Sequence, residues 1–364
     1  MPKCILVKLD IFSKIGLGHF SRINNLAEAD LENEYFLIYR TDIDVKELLK
    51  KSSFRDYFNI GSKESNLKWD NLNKHSIINI TDYKNDIFFI DRLIKHVENS
   101  YGVVHSLIVD NYLVKQEWFN LISENSRINY LNLIYIDDFN SNLNNINLSI
   151  FYPSDKNSLV KESNNKLIAE GLKFTPFSLD LVNKRVELFT KNSFQKENNN
   201  ILISFGFFDE INLSIKAIKE ILIKTNYHIL VIVSREAKIY KNLCHEYSCN
   251  NRVKIFDYVS DISSIYIKSK TSVGTFGLMS LEKAYLAVPQ VNILEETNQE
   301  NIKNALIKHE FANSFENISK LFNTYTSSFL FPEKSLYQNL AIKSKRLFGE
   351  GILEWVRLIK RISS

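Results

Sequence analysis

The sequence predicts an α/β protein built from two doubly wound halves, each a parallel sheet covered on both faces by helices. Three observations predict it. The 364 residues suffice for two domains of roughly 150 residues each. Short apolar runs rich in β-branched residues alternate with segments whose apolar residues recur at helical spacing, the pattern of strands joined by crossover helices. A polar, aperiodic run at 191–200 then divides that series in two. With 45% hydrophobic and 24% charged residues, collagen-like, coiled-coil and wholly disordered readings are excluded.

In the first half, 4–9 reads as a strand and 20–29 as the helix that follows it across a glycine-containing turn. Further strands are expected at 35–39, 106–110, 133–136 and 148–152, with helices at 86–98 and 114–124. The rest of 42–100 carries no clear period. The second half opens with a strand at 201–205, a helix at 212–224, a strand at 229–233 and a helix at 237–249. Strands at 253–256 and 272–275, a helix at 279–287 and a strand at 290–294 follow. The tail reads as helices, the last with Ile352, Leu353, Val356, Leu358 and Ile359 as an apolar stripe able to pack back on the first domain. The expected domains are therefore 1–190 and 191–345, with a returning helix at 346–364.

Forty-six Lys and Arg against 42 Asp and Glu leave a net charge of +4, too small and too evenly spread for a nucleic-acid surface, though it permits weak attraction to an anionic membrane. No apolar run approaches the roughly 18 residues of a membrane span, and charge interrupts the first ten residues too early for a signal peptide. A cytoplasmic location is expected. Three cysteines, Cys4, Cys244 and Cys249, are too few to staple such a chain. Cys244, His245 and Cys249 lack the spacing and the fourth ligand of a zinc site, so no metal is expected.

In open α/β sheets ligands bind beyond the carboxyl ends of the strands, so the loops after strands are where chemistry is sought. After the first strand, Gly16 and Gly18 allow a tight turn directly before a helix that starts with His19. The positive end of that helix favours a neutral imidazole, usable as a base, and Arg22 shares its face. In the second half, Gly206 follows the first strand and Asp209 and Asn212 lead into a helix start, where backbone amides receive phosphate. Gly277 opens the helix that carries Met279 and Glu282, whose carboxylate suits a ribose diol. Asn298 and Gln299 follow the next strand.

These residues resemble a known family. Asp10 followed by Ile15-Gly16-x-Gly18-His19-x-x-Arg22, with Leu26-Ala27, is similar to the opening motif of the UDP-sugar hydrolases of pseudaminic acid biosynthesis. Those enzymes act on UDP-2,4-diacetamido-2,4,6-trideoxy-β-L-altropyranose. They are related to the lipid II-forming N-acetylglucosaminyltransferase and to glycosyltransferases of spore-coat polysaccharide synthesis. Val109-Asp110-Asn111-Tyr112 resembles the family's Asp-x-Tyr strand end, Ile136-Asp137-Asp138 its acidic pair, and Gly171-Leu172-Lys173-Phe174 its Gly-x-x-Tyr segment. Ser204-Phe205-Gly206 with Asp209, Asn212 and Ser214 resembles the second glycine loop, and Glu282 to Pro289 with Asn298-Gln299 the nucleotide-binding end. Gly206-Phe207 stands where the family has a double glycine, and Phe276-Gly277-Leu278-Met279 where it has Gly-Gly-Ser-Thr.

The resemblance implies a glycosyltransferase-B-like architecture of two Rossmann-like domains facing a cleft. It implies His19 as the catalytic base and Asp10, Gly16, Gly18, Arg22, Asp110 and Tyr112 as sugar-side contacts. Uracil would lie near Phe256 and Tyr258, ribose at Glu282, and phosphates at the Gly206 and Gly277 loops, with Asp209, Asn212, Met279, Asn298 and Gln299 beside them. The expected function is hydrolysis of a UDP-linked amino-deoxy hexose in nonulosonic acid or surface-glycan synthesis, with no cofactor. The alternative is a transferase on the same scaffold, using a UDP- or CMP-sugar donor such as a CMP-nonulosonate and a glycan acceptor. A third reading is a nucleotide-sugar-binding module without chemistry.

Overall fold

A computed structural model describes residues 2–12, 17–61, 83–163, 165–191, 199–206, 209, 212–235, 237–257, 259–295 and 299–363. The chain forms two compact units, one of Met1–Leu179 with Gly349–Ser364, the other of Asp180–Phe348. The division falls before the polar run at 191–200, most of which lies outside the described residues. The reason is helix α5, placed below, whose Arg185 donates to the Ser344 carbonyl and stacks on the Tyr285 ring, so the helix packs with the second unit.

The first unit holds β1 (Lys3–Ile11), α1 (Gly18–Ala29), β2 (Asn33–Thr41), α2 (Lys46–Lys50), β3 (Asp56–Gly61) and α3 (Tyr83–Ser100). After these come β4 (Val104–Asp110), α4 (Gln116–Glu124), β5 (Asn132–Ile136), β6 (Leu148–Phe151), β7 (Leu159–Ser163) and β8 (Lys166–Glu170). The sheet order is β3-β2-β1-β4-β5-β6-β8-β7, parallel except for the antiparallel β7–β8 hairpin. Order reverses between β1 and β4, which creates a crevice at their carboxyl ends. β1 is central, and from Cys4 to Ile11 every residue is buried, as an apolar run covered on both faces requires. The charge it carries is neutralised inside: Lys8, 0% exposed, donates to Asp86 Oδ1 at 3.0 Å, and Trp118 Nε1 donates to Asp86 Oδ2 at 2.6 Å. β3, β7 and β8 are additions to the elements the sequence predicts; β7 is exposed throughout, so no buried face marks it.

The second unit holds α5 (Leu179–Lys191), β9 (Asn200–Ser204), α6 (Leu213–Lys224), β10 (His228–Ile232), α7 (Tyr240–Tyr247), β11 (Val253–Phe256) and α8 (Ile262–Lys268). It continues with β12 (Thr271–Thr275), α9 (Leu278–Tyr285), β13 (Gln290–Ile293), α10 (Glu300–Lys308), β14 (Ala312–Ser314), α11 (Thr324–Leu330) and α12 (Lys334–Leu347). Its all-parallel sheet, β11-β10-β9-β12-β13-β14, repeats the same winding and reverses between β9 and β12. Ile201, Ile203, Val231, Val273 and Val291 form the strand side of its core. At Gly274 the strands β9 and β12 approach so closely that a Cβ would lie 2.2 Å from the Ser204 carbonyl oxygen.

The last helix, α13 (Ile352–Ser363), packs against α1 in the first unit. Ile352, Val356, Leu358 and Ile359 are buried and Leu353 partly so, and Trp355, outside the expected stripe, donates from Nε1 to the Phe174 carbonyl at 2.6 Å.

Candidate active site

His19 is the second residue of α1 and only 5% exposed, so it is no surface histidine of a turn. Its Nδ1 lies 2.5 Å from Asp110 Oδ1. Asp110 ends β4, the strand beside β1 at the crevice, and is itself buried. Burial opposes its ionisation, but Arg22 and then His19 outweigh that and hold its carboxyl down to about 2. A carboxylate that keeps no proton can only accept, so Nδ1 carries the hydrogen even though Arg22 Nη2 also lies 3.0 Å away. Nε2 is left with the lone pair. The Tyr112 ring and the imidazole pack nearly perpendicular, at 78° with centroids 4.4 Å apart, which fixes the ring plane.

Arg22, one turn along α1, explains why these groups hold position. Its Nε donates to Asp110 Oδ2 at 2.7 Å and its Nη2 to Asp110 Oδ1. Nη1 and Nη2 donate to the two Asp138 oxygens at 2.8 and 2.9 Å, and Nη1 donates to the Tyr152 hydroxyl at 2.6 Å. Tyr112 closes the set by donating to Asp138 Oδ2 at 3.0 Å. Arg22 is 3% exposed, and these bonds commit its guanidinium to side chains of the protein. The resemblance implies Arg22 as a sugar-side contact; the geometry commits it to two carboxylates. Behind Tyr152 lies Trp355, with ring centroids 6.3 Å apart, so α13 backs the cluster.

Asp10, expected on the sugar side, accepts from Arg40 Nε at 2.8 Å, from Arg40 Nη2 at 2.5 Å and from Asn111 Nδ2 at 2.9 Å. It ties the carboxyl ends of β1, β2 and β4 together. Gly18 opens α1, and a Cβ there would meet nothing within 4 Å. Gly16 lies outside the described residues. Sequence reasoning quoted Asp138 only as part of an acidic pair and missed Tyr152 and Arg40 altogether. Ligand atoms of His19, Asp110 and Asp138 lie within 4.8 Å of one another, the spacing of a metal cluster. The guanidinium of Arg22 already supplies the cation that bridges the two carboxylates. Among the described residues, Cys244, His245 and Cys249 form no such cluster.

In the second unit the strand-end loops have divergent roles. Gly206 takes a φ of 81°, which favours glycine, and is exposed at the end of β9. Asp209 is buried and turned inward: its oxygens accept from the Leu213 and Ser214 amides at 2.7 and 2.8 Å. The N-terminal amides of α6 expected to receive phosphate are thus met by a carboxylate of the chain itself. Asn212, at a φ of 58°, shapes that turn. Gly277 caps α9, its amide donating to Ser280 Oγ at 3.0 Å, and Met279 Sδ accepts from Ser204 Oγ at 3.3 Å.

Glu282 is partly buried and accepts from the Tyr266 hydroxyl at 2.6 Å through Oε2. Burial pushes its carboxyl up to about 7, against the opposing effects of Tyr266 and Lys283. Phe256 ends β11 with Lys254 Nζ 5.0 Å from its ring centre. Gln299 precedes α10 and accepts from the Glu295 amide at 3.3 Å. Tyr258 and Asn298 lie outside the described residues.

Two parallel sheets of this winding, one per unit, define the glycosyltransferase-B fold, and comparison with solved structures gives the same class. The chain aligns over 99% of its length with all of a MurG from Acinetobacter baumannii, at 13% identity and a TM-score of 0.64. A UDP-glucosyltransferase from Polygonum tinctorium matches the whole chain over 99% of its own, at 10% identity and a TM-score of 0.66. A UDP-N-acetylglucosamine 2-epimerase matches over 98% of this chain and 96% of its own, at 13% identity and a TM-score of 0.55. At such identities the likeness is one of fold. No family model matches the chain. In sequence it is 24% identical, over 271 residues and 72% of its length, to an uncharacterized protein of Methanocaldococcus jannaschii. It spans about half, 53%, of that relative. Among the described residues no helix is long and apolar enough to cross a membrane.

Proposed function

We propose that the protein transfers a sugar from a nucleotide-sugar donor to an acceptor hydroxyl, with His19 as general base and Asp110 as the residue that orients it. One observation carries the reading: the buried His19–Asp110 pair, with Nδ1 and Oδ1 2.5 Å apart, leaves Nε2 as the basic atom. In the step, Nε2 takes the hydroxyl proton while the oxygen attacks the anomeric carbon. The bond from that carbon to the phosphate oxygen breaks, and the nucleotide leaves with the electron pair. Asp110 stabilises the imidazolium that forms, and the Arg22–Asp138–Tyr152 clamp keeps the pair aligned.

In this reading the second unit holds the donor, with ribose at Glu282 and phosphate near Gly206 and Gly277. The base would serve equally with water as nucleophile, which is the hydrolysis the sequence motif suggests. The fold likeness to transferases supports the acceptor-dependent reaction, by analogy, since one fold hosts several chemistries. The test is to follow nucleotide release from a panel of UDP- and CMP-sugars with and without acceptor glycans. Release that requires an acceptor supports transfer, release that ignores it supports hydrolysis, and no release from any donor removes both.

A further inference from the structure

Lys283 has no part in the reading above, yet its surroundings are unusual. It lies on α9 at 1% exposure, and among the described residues it makes neither a hydrogen bond nor an ion pair. Its neighbour Glu282 turns instead to Tyr266. An ammonium buried without a partner is costly, and burial holds this one down to about 7 despite the pull of Glu282.

The position of the ammonium gives it a purpose. Side chains of a helix lean toward its N-terminus, so Lys283 reaches back along α9 toward the end that Gly277 opens. Nζ comes within 3.5 Å of where a Cβ on Gly274 would sit, and the absence of that side chain leaves it room. Gly274 pairs with Ser204 across β12 and β9, the two strands between which the order of the sheet reverses. Two residues on from Ser204 is Gly206, and three on from Gly274 is Gly277, both at the carboxyl ends of their strands. A buried cation with no partner among the described residues is therefore aimed at the crevice where a doubly wound sheet takes its ligand. At α6 the corresponding amides are already taken by Asp209, which leaves α9 as the anion-receiving helix of this crevice.

We propose that Lys283 binds a phosphate oxygen of the donor at the β9–β12 crevice, together with the first amides of α9. This rests on the reading that the second unit holds the donor nucleotide. The ammonium supplies, from beneath the helix, a charge that fixes the diphosphate and stabilises it as a leaving group.

Isothermal titration of inorganic pyrophosphate, UDP and uridine into the full chain tests it, comparing wild type with Lys283→Met and Lys283→Gln. A charge-assisted bond lost from a desolvated site should weaken pyrophosphate and UDP about 10- to 100-fold and leave uridine unchanged. Without ligand, the melting temperature of Lys283→Met should not fall, because the variant removes an unpaired buried charge. Unchanged binding of both phosphates in the variants overturns the proposal, as does an equal loss of uridine in both, which would make Lys283 structural. Wild type that binds UDP while both variants match it removes Lys283 and keeps the nucleotide reading. Wild type that binds pyrophosphate but neither UDP nor uridine, with loss in the variants, keeps the anion site and removes the nucleotide. Wild type that binds neither phosphate overturns the site itself.

Discussion

Asp110→Asn separates the work of orienting a base from the work of holding a fold. In the native site Oδ1 accepts from His19 Nδ1 and Arg22 Nη2, and Oδ2 accepts from Arg22 Nε. An amide keeps one acceptor and brings two donors. If its oxygen faces Arg22 Nε, its nitrogen confronts His19 and favours the tautomer with the lone pair on Nδ1, which removes the base from Nε2. Turnover should then fall by about 10²- to 10⁴-fold, the range a general base contributes. Breaking a buried charge pair costs about 3–5 kcal/mol, but Asp138 still accepts two bonds from Arg22, so a loss nearer about 2–3 kcal/mol is expected. Asp138→Asn provides the contrast, since it weakens the Arg22 clamp but leaves the Nδ1–Asp110 bond in place. Its stability should fall by a similar amount while turnover stays within about tenfold of wild type. Denaturant unfolding gives the stabilities, nucleotide release under saturating donor and acceptor gives turnover, and long-range ¹⁵N–¹H imidazole spectra report which ring nitrogen holds the proton. Equal loss of turnover in both variants, or an unchanged tautomer in Asp110→Asn with activity lost, would refute the orienting role.

His19→Ala should keep the circular dichroism spectrum, with a melting temperature lowered by the loss of the buried contacts to Asp110 and Tyr112, while turnover measured well below that temperature drops about 10²- to 10⁴-fold; near-normal turnover returns His19 to a packing role. Glu282→Gln should raise KM for the donor more than it lowers kcat, because a ribose contact acts in ground and transition states alike. The same variant carries a pH signature: the native carboxyl is raised to about 7 from 4.5, so its contribution to stability is full below about 4.5 and is lost as pH rises through about 7. Unfolding curves of wild type and Glu282→Gln should therefore agree near pH 4 and separate in the variant's favour toward pH 7, and a constant gap would contradict the shift. Gly274→Ala should destabilise by about 3 kcal/mol or more, since its Cβ would meet the Ser204 carbonyl at 2.2 Å; a melting temperature equal to wild type would show that β9 can move away.

The parts of this molecule written locally were legible in its sequence. β1 and α1 announce themselves because a buried strand is predominantly apolar and the glycines, His19 and Arg22 fall at its junction with a helix. The alternation from β9 to β13 is equally plain, and with it the two sheets. What stayed hidden was set by distance along the chain or by exposure. Arg22 finds Asp138 and Tyr152 at separations of 116 and 130 residues, which no local spacing encodes. The edge strand β3 and the hairpin strand β7 expose much of their length, so neither shows the apolar signal of a covered strand. Asp209 and Lys283 depend on packing: the sequence places Asp209 beside a phosphate-receiving helix start, where its carboxylate instead caps α6, and nothing local shows that Lys283 is buried.

In the proposed reaction a base held by Asp110 activates an acceptor for a nucleotide-sugar donor. Its most direct measurement is nucleotide release by wild type and His19→Ala, across UDP- and CMP-sugars, with and without acceptor glycans. One donor class should release nucleotide only when an acceptor is present, and His19→Ala should abolish this dependence along with most of the rate. Release by both proteins at one acceptor-independent rate, or from no donor by either, would contradict it.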